Sequence, residues 1–257
     1  MKKVFGGVIA LKGVDFCVAE GEIVGLVGDN GAGKSTLIKI LSGVYTPDKG
    51  EIYIDGQKVH FRTPMDAWNH GIATVYQELA LAGKMNAVEN IFLGHELKRM
   101  FLGIPVLDKG RMRRRATELL KQLDVSLKSF YVPTGRLSGG ERQAIAICRA
   151  LNLDARVFIM DEPTAALAVG ESEKVLSFAK SLKEKGKAVI LISHNLEHVF
   201  RVVDRIVVLR HGEVVGNVHI DNADKDIIVK LITGTLSKLD TVEVTQPPTP
   251  KTKKEGR

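Results

Sequence analysis

The chain has 257 residues and a formal net charge of +7, a length that allows one large domain or two small ones. Its hydrophobic fraction of 44% is ordinary for a globular core, and its aromatic fraction of 5% predicts an aliphatic interior. No segment resembles a signal peptide, and no apolar run approaches the roughly 18 residues that span a bilayer. We therefore expect any role at a membrane to come through a partner. Cys17 and Cys148 lack metal or redox spacing, and we predict reduced core thiols in a cytosolic protein.

The first predicted elements are short β-strands that precede residue 28. Residues 11–18 alternate loosely between apolar and polar side chains, and residues 22–27 form the apolar run of a buried strand. Phe5 lies ahead of both segments. Packing in the core and stacking on a nucleotide base are equally good interpretations of this aromatic ring.

A glycine-rich segment, Gly28-Asp29-Asn30-Gly31-Ala32-Gly33-Lys34-Ser35-Thr36, follows the buried strand directly. It matches the pattern Gly-x-x-x-x-Gly-Lys-[Ser/Thr], and residues 34–42 have the apolar spacing of a helix. Glycines let successive backbone N–H groups face an anion, and the helix N-terminus adds a positive dipole end. Lys34 can contact the β- and γ-phosphates, and the Ser35 hydroxyl can ligate Mg²⁺. The segment therefore predicts a nucleoside triphosphate site; the alternative is a glycine-rich turn without a ligand.

The next predicted elements are a hairpin, a short helix and a strand. Residues 51–59 form two strands around an Asp55-Gly56 turn. Thr63 has the position of a helix cap before Pro64, and Gly71 ends that helix. The strand over residues 72–76 ends at Gln77.

Residues 85–151 have a mostly helical pattern. An apolar stripe at helical spacing runs through Met112, Ala116, Leu119, Leu120 and Leu123. The neighbouring Arg111 and Arg113–Arg115 favour a solvated helix face over a binding patch. Ser138, Gly139 and Gly140 stand at the start of another predicted helix, which makes this a second position where a helix N-terminus can hold an anion.

Two short strands are strongly apolar, residues 156–160 after the initial Arg156 and residues 188–192 throughout. Such strands are typical of a parallel sheet covered by helices on both faces. The first ends at Asp161-Glu162 and the second at Ser193-His194. Ligand sites of α/β proteins lie at the carboxyl ends of such strands, so we favour functional roles for these acids and for His194 over capping or structural roles.

The rest of the chain alternates helix and strand and then loses its apolar pattern. The remaining predicted elements are a helix over 171–185, a helix over 195–203, strands over 205–209 and 213–218, and a helix over 225–233. Residues 235–257 are rich in proline, threonine and lysine, which predicts a disordered basic tail.

Taken together, these motifs resemble the nucleotide-binding subunit of an ABC transporter, over roughly residues 4–234. The matching segments are Gly28–Thr36 (Walker A), Gln77 (Q-loop), Leu137–Glu141 (signature), Val157–Asp161 (Walker B) and His194 (switch histidine). The signature separates this family from other P-loop proteins. Further segments, among them residues 75–78, 89–94 and 163–167, are similar to ATPases of bacterial carbohydrate importers of the ribose, xylose and fructose group.

The resemblance implies an α/β fold of the P-loop NTPase type. Its core would be a RecA-like sheet with an antiparallel β edge, joined to a helical signature subdomain at about residues 85–151. The ATPase domain would cover residues 1–234, and the disordered tail would cover residues 235–257.

The resemblance also implies a role for each motif in binding and hydrolysing ATP. Lys34 and the backbone of Gly28–Thr36 would hold the phosphates, and Phe5 would stack on the adenine. Ser35 and Gln77 would bind Mg²⁺, with Asp161 acting through a water molecule. Glu162 would be the general base, and His194 would contact the γ-phosphate. The site-completing residues of a second copy would be Ser138, Gly139 and Gly140.

The partners implied by the resemblance are a second copy of the chain and the integral membrane permease subunits of a monosaccharide importer. A periplasmic sugar-binding protein would act indirectly, no nucleic acid would take part, and the protein would lie in the cytoplasm on the inner face of the cell membrane. Three features depart from the family pattern: a single cassette where many relatives carry two, Ala168 where the D-loop has aspartate, and few residues before Phe5.

Two other functions compete with sugar import. A soluble ABC-type ATPase acting on nucleic acid or ribosomes is suggested only by the net charge of +7. Such relatives carry two domains or long coiled coils, and the interval from Gln77 to Leu137 is too short for a coiled coil. A small-molecule kinase or GTPase would have no need of the segment Leu137–Glu141.

Overall fold

The structure is a computed structural model that describes residues 1–165 and 167–238, and its centre is a six-stranded sheet. The strands are β1 (Lys2–Phe5), β2 (Val8–Lys12), β3 (Ile23–Val27), β4 (Ile52–Ile54), β5 (Gln57–Val59), β6 (Ile72–Val75), β7 (Lys98–Phe101), β8 (Ile104–Leu107), β9 (Val157–Asp161), β10 (Ala188–Ile192), β11 (Arg205–Arg210) and β12 (Glu213–His219). The helices are α1 (Lys34–Leu41), α2 (Pro64–Asn69), α3 (Ala87–Phe92), α4 (Lys109–Gln122), α5 (Gly139–Asn152), α6 (Val169–Glu184), α7 (Leu196–Val202) and α8 (Lys225–Thr233).

The central sheet has the order β12-β11-β3-β10-β9-β6. Its strands are parallel except for β12, which pairs antiparallel with β11 at one edge. The remaining strands form three separate antiparallel pairs, β1–β2, β4–β5 and β7–β8. This arrangement confirms the predicted P-loop type of α/β fold with an antiparallel edge.

Apolar side chains on both faces explain why the central strands are buried. Neighbouring residues of one strand, such as Val24 and Ile23 of β3, belong to different hydrophobic clusters because successive side chains point to opposite faces. One cluster includes Leu37 of α1, and the other includes Ile145 of α5. Helices on both faces therefore cover the sheet, and their loops meet at the carboxyl ends of its parallel strands.

Most predicted elements are confirmed within one or two residues, and two expectations need correction. The alternation over residues 11–18 does not continue as a strand, because β2 ends at Lys12 and the chain bends at Gly13. Cys148 is buried as expected, but Cys17 is only half-buried and is not a core thiol. A short 3₁₀ helix over Thr134–Arg136 lies ahead of α5.

The region 85–151 contains helices α3, α4 and α5, but it also contains the hairpin β7–β8, which the sequence pattern did not predict. The apolar stripe predicted for α4 is confirmed, because Met112, Ala116 and Leu119 are all buried. A polar network around Asn90 ties α3 to the rest of this region: its side-chain amide donates to Thr134 Oγ1 at 3.2 Å, and its backbone carbonyl accepts from Arg149 Nε at 2.9 Å.

The predicted tail begins at residue 235, and residues 239–257 of it lie outside the described part of the chain. Across the described residues, none of the helices has the length and apolar character that crossing a membrane requires.

Candidate nucleotide site

The glycine-rich loop joins the end of β3 to the start of α1, and its backbone has little room for side chains. Gly28 has a φ angle of +154° and Gly33 one of +107°. A Cβ atom at Gly28 would lie 2.2 Å from the carbonyl oxygen of Leu209, and one at Gly33 would lie 2.8 Å from that of Ala10. Glycine at these two positions therefore lets the loop pack directly against β11 and β2.

Lys34 is the first residue of α1 and is buried, with 8% of its surface exposed. Its ammonium group donates to the carbonyl oxygens of Gly28 at 2.7 Å and Asp29 at 3.0 Å. Burial lowers the pKa of Lys34, and the negative charges of Glu162, Asp29 and Asp161 act against that shift. The lysine is thus held inside the loop as a cation next to carboxylates.

The N-terminus of α1 is open to an anion. The first turn of this fully described helix contains no acidic side chain, and Gly33 at its cap position has no side chain to accept the free N–H groups. Ser35 is exposed in the same turn, and Thr36 beside it is half-buried. The helix dipole and these N–H groups therefore favour a phosphate beside Lys34.

Asp161 ends β9, and Glu162 follows it with a φ angle of +48°, which is uncommon for a residue other than glycine. The backbone N–H of Glu162 donates to the carbonyl oxygen of Ile192 at 3.0 Å, which fixes this turn to the neighbouring strand β10. Burial is the main cause that raises the pKa of both carboxyl groups.

His194 lies directly beside Glu162. Its backbone N–H donates to Glu162 Oε2 at 3.3 Å, and its ring Nε2 lies 3.2 Å from Glu162 Oε1. The Glu162 side chain is only 7% exposed, and Oε1 accepts no hydrogen bond from the described residues. The histidine side chain is 56% exposed. The pair therefore combines a buried carboxylate that has spare acceptor capacity with a ring that a ligand can reach.

Gln77 and Phe5, two further predicted site residues, are both exposed. Gln77 follows β6, which pairs in parallel with β9, so it lies at the same edge of the sheet as Asp161. Phe5 is 40% exposed, and its ring meets that of Tyr45 edge-on with centroids 5.2 Å apart. The interpretation of Phe5 as a core residue is therefore wrong, and the prediction that it stacks on a base stays open.

The signature segment lies in a different cleft. Ser138 caps α5, where its Oγ accepts from the backbone N–H of Glu141 at 3.2 Å and Glu141 Oε2 accepts from the N–H of Ser138 at 2.8 Å. Ser138 and Gly140 line a cleft of about 450 Å³ together with residues of α6 and of the segment after α4. Among its described lining residues, none belongs to the loop 28–36. One chain therefore presents two separate helix N-termini.

Glu171 is a residue of this cleft that the sequence analysis missed. A Cβ atom on Gly140 would lie 2.1 Å from Glu171 Oε1, so the carboxylate rests against the signature glycine. Glu171 is the third residue of α6, and its Oε2 accepts from the backbone N–H of Ala168 at 3.3 Å. Glu171 stands three residues after the cap position Ala168, which is the spacing of a capping box. This spacing is the sequence signal that could have indicated a carboxylate at the first turn of α6.

This fold and the site at its sheet edge define a P-loop protein of the nucleoside-triphosphate-binding type. Residues 11–165 match the family described as ABC transporter, which is more than half of the chain. The chain therefore belongs to the ABC transporter family.

Two relatives of the chain are named as ATP-binding proteins of sugar importers. The chain is 44% identical over 232 residues to the ribose import ATP-binding protein RbsA of Burkholderia mallei. The matched residues cover 90% of this chain and 45% of that protein. It is 42% identical over 231 residues to the xylose/arabinose import ATP-binding protein XylG of Sulfolobus acidocaldarius, which covers 90% of each. The chain thus spans less than half of the ribose relative and nearly all of the xylose/arabinose relative.

Solved cassettes have the same fold. A dimeric post-hydrolysis state of the ATP-binding cassette MJ0796 bound to ADP and Pi is 30% identical, with a TM-score of 0.73, and covers 85% of this chain and 95% of that one. A nucleotide-free ATP-binding cassette from an ABC transporter is 27% identical, with a TM-score of 0.76, and covers 91% and 92%.

The N-cap of α6 generates a stability prediction. Ala168 cannot accept a hydrogen bond from its own helix, whereas Ser138 accepts one at the matching position of α5. We expect Ala168→Ser to raise the free energy of unfolding by about 1 kcal/mol, and Ser138→Ala to lower it by a similar amount. Urea unfolding of both variants tests this. An Ala168→Ser variant no more stable than the wild type would contradict the interpretation.

The buried carboxylate generates a pH prediction. Because the folded-state pKa of Glu162 is raised above its usual value of 4.5, the wild type loses stability as the pH rises from that value through the folded pKa. We therefore expect Glu162→Gln to unfold at higher urea than the wild type near neutral pH, with the difference shrinking as the pH falls to the usual value.

The matched control for this measurement is Glu184→Gln, which changes an exposed side chain and should alter the free energy of unfolding by less than about 0.5 kcal/mol. A Glu162→Gln variant that is less stable than the wild type at neutral pH, with no trend below it, would show that burial does not control this carboxyl group.

Proposed function

We propose that this chain binds ATP with Mg²⁺ and hydrolyses it to power carbohydrate import through partner membrane subunits. The observation that carries the proposal is the juxtaposition of a buried cation, Lys34, with the carboxylates Asp161 and Glu162 and the exposed ring of His194. The printed names of relatives at 44% and 42% identity support the sugar-import part.

Phosphate binding would depend on Lys34 and the N-terminus of α1. The ammonium group donates to two loop carbonyl oxygens at 2.7 and 3.0 Å, and a triphosphate would offer it oxygens with full negative charge. The N–H groups of the loop would surround the same oxygens, because the glycines let the backbone approach a ligand closely. Phe5, exposed beside Tyr45, would stack on the adenine.

The residues present fit a magnesium ion. Mg²⁺ prefers oxygen ligands and binds through one or two protein groups together with phosphate oxygens and water. Ser35 supplies an exposed hydroxyl, Gln77 supplies an exposed amide oxygen, and Asp161 supplies a partly buried carboxylate. When bound, the ion would neutralise charge on the phosphates, while these three residues orient it.

Hydrolysis would depend on Glu162 as general base. Its Oε1 is buried and accepts no hydrogen bond from the described residues, so it can accept one from an attacking water molecule. Its raised pKa brings the carboxylate closer in basicity to the proton that it must hold. The backbone N–H of His194, which donates to Glu162 Oε2 at 3.3 Å, would hold the carboxylate in place, and the exposed ring of His194 would contact the γ-phosphate.

A second copy of the chain would complete each site. The signature residues Ser138, Gly139 and Gly140 begin α5 in a cleft apart from the glycine-rich loop, so they would serve the ATP held by a partner. The related cassette MJ0796 is described as dimeric in complex with ADP and Pi, which supports this assembly. ATP between two copies would act as part of their interface, and hydrolysis would release it.

The remaining parts of the proposal concern location and partners. The chain would lie in the cytoplasm on the inner face of the cell membrane, bound to permease subunits, and a periplasmic sugar-binding protein would deliver the substrate. Relatives named for ribose and for xylose or arabinose indicate a monosaccharide. Action on nucleic acid or ribosomes is the alternative function, and only the net charge of +7 favours it.

The general-base assignment predicts a separation of binding from turnover. We expect Glu162→Gln to bind ATP as the wild type does and to lose ATPase activity by about a hundredfold or more, because removal of a general base typically costs that much. The measurement is steady-state phosphate release together with a fluorescent-nucleotide titration. Near-normal turnover would remove Glu162 from this role.

Lys34→Ala is the complementary variant, since it removes the charge that holds the phosphates. We expect it to lose ATP affinity, with turnover falling as a consequence. An unchanged dissociation constant for ATP would contradict the assignment of Lys34. Co-purification of wild-type chain with ribosomes or DNA, but without membrane subunits, would favour the alternative function.

A further inference from the structure

The hairpin β7–β8 projects from the helical region as a two-stranded ribbon. Met100 pairs with Pro105 and Phe101 with Ile104, and the turn between the strands is Leu102-Gly103. Each of the four residues of β7 is exposed, so neither face of that strand is covered. A two-stranded hairpin of this kind has marginal stability in water unless another surface packs against it.

The end of the hairpin is apolar and exposed. The exposed fractions are 69% for Met100, 58% for Phe101, 89% for Leu102, 64% for Ile104 and 46% for Leu107. Contiguous exposed apolar side chains of this kind mark interaction sites. This patch therefore indicates an interaction site for a partner that can enclose a projecting apolar hairpin end.

Leu102 is an unusual residue for its turn. Both central residues have positive φ angles, +48° at Leu102 and +81° at Gly103, a conformation in which Asn or Asp before glycine is preferred. A leucine at the most exposed point of the hairpin thus destabilises the turn and is poorly solvated by water. Contact with an apolar environment would stabilise this side chain and would explain why leucine occupies the position.

Positive charge surrounds the base of the hairpin. Residues 98–115 contain seven lysines and arginines and one acidic residue, Asp108. Leu97, directly before β7, lines a cleft of about 420 Å³ with Arg111, Arg114, Arg115 and Glu118. Arg115 lies 3.4 Å from Glu118, so the positive charge of this cleft beside the hairpin comes chiefly from Arg111 and Arg114. Asp108 caps α4 by accepting from the backbone N–H of Arg111, so its charge is already engaged.

We propose that the hairpin β7–β8 inserts its apolar tip into an anionic lipid surface, with the basic residues at its base lying against the headgroups. The combination of an apolar point and adjacent cations is what binds proteins to anionic bilayer interfaces. A projecting tip exposed on both faces suits a fluid layer that closes around it better than a groove in a protein. This contact requires neither nucleotide nor a second copy, so it goes beyond the proposed ATPase function.

The test is co-sedimentation of the full chain, without nucleotide, with vesicles of phosphatidylglycerol mixed with phosphatidylcholine and with vesicles of phosphatidylcholine alone. We expect the wild type to partition at least about tenfold more strongly onto the anionic vesicles, and the binding to weaken as salt is added.

Two variants separate the apolar and the cationic contributions. Phe101→Ser with Leu102→Asn makes the tip polar and suits the turn, so the hairpin is retained while partitioning should fall by about tenfold or more. Arg111→Gln with Arg114→Gln keeps good helix formers in α4 and should lower partitioning by about tenfold.

Matched controls alter similar side chains elsewhere. Tyr53→Thr removes an exposed aromatic from a different hairpin, β4–β5, and Lys180→Gln with Lys185→Gln removes two exposed cations at the end of α6. The Tyr53→Thr control should leave partitioning onto vesicles unchanged. The double lysine control should reduce partitioning less than the double arginine variant of α4 does.

Several results would overturn the proposal. Wild-type chain that stays in solution with anionic vesicles, or a polar-tip variant that sediments as the wild type does, would exclude lipid as the partner. Binding that needs permease subunits in neutral vesicles, and that gains nothing from phosphatidylglycerol, would assign the hairpin to a protein partner instead.

Discussion

Burial of three charged groups at one edge of the parallel sheet is the constraint on which the rest of this structure depends. Burial lowers the pKa of Lys34 and raises that of Asp161 and Glu162, so it opposes charge on each of them. The attraction between Lys34 and each carboxylate offsets part of that effect, whereas the charge of Asp161 adds to the rise in the pKa of Glu162. The close packing of the glycine-rich loop against β2 and β11 holds the lysine in place, and the strand ends hold the carboxylates.

The two helix N-termini differ in a way that suits different tasks. The N-terminus of α1 has a glycine cap and no acidic side chain in its fully described first turn, so its N–H groups are directed at the site beside Lys34. The N-terminus of α5 is already capped by Ser138 and Glu141, and Glu171 lies against Gly140. In the proposed function, the first N-terminus would enclose phosphate within one chain, and the second would meet the ATP held by a partner.

The sequence predicts elements well where local chemistry determines them. Strands β9 and β10 are apolar on both faces and end in polar residues, and the Asp55-Gly56 pair has the residues that its turn requires. The glycine-rich loop is predictable because each residue type at its fixed spacing has a physical role in binding phosphate. The same edge of the parallel sheet holds Lys34, Asp161, Glu162 and His194. Their grouping is predictable because the motifs place each residue at or beyond the carboxyl end of a strand, and those ends meet in a parallel sheet.

The features that the sequence did not predict depend on contacts between distant segments or on weak local signals. The hairpin β7–β8 was missed because Leu102 stands where a turn-forming residue is expected and its apolar residues do not alternate with polar ones. The contact of Glu171 with Gly140 joins two helices 31 positions apart along the chain, which no local pattern encodes. The edge-on contact of Phe5 with Tyr45 likewise joins residues 40 positions apart along the chain.

If each site draws residues from two copies of the chain, two inactive variants should complement each other when they are mixed. Lys34→Ala disables the loop, and Ser138→Arg, at an exposed position that accommodates the larger side chain within one chain, disables the signature. Each variant alone should lack ATPase activity. A mixture of the two forms pairs in which one site has an intact loop from one copy and an intact signature from the other, so activity should return. A mixture as inactive as its components would contradict the account.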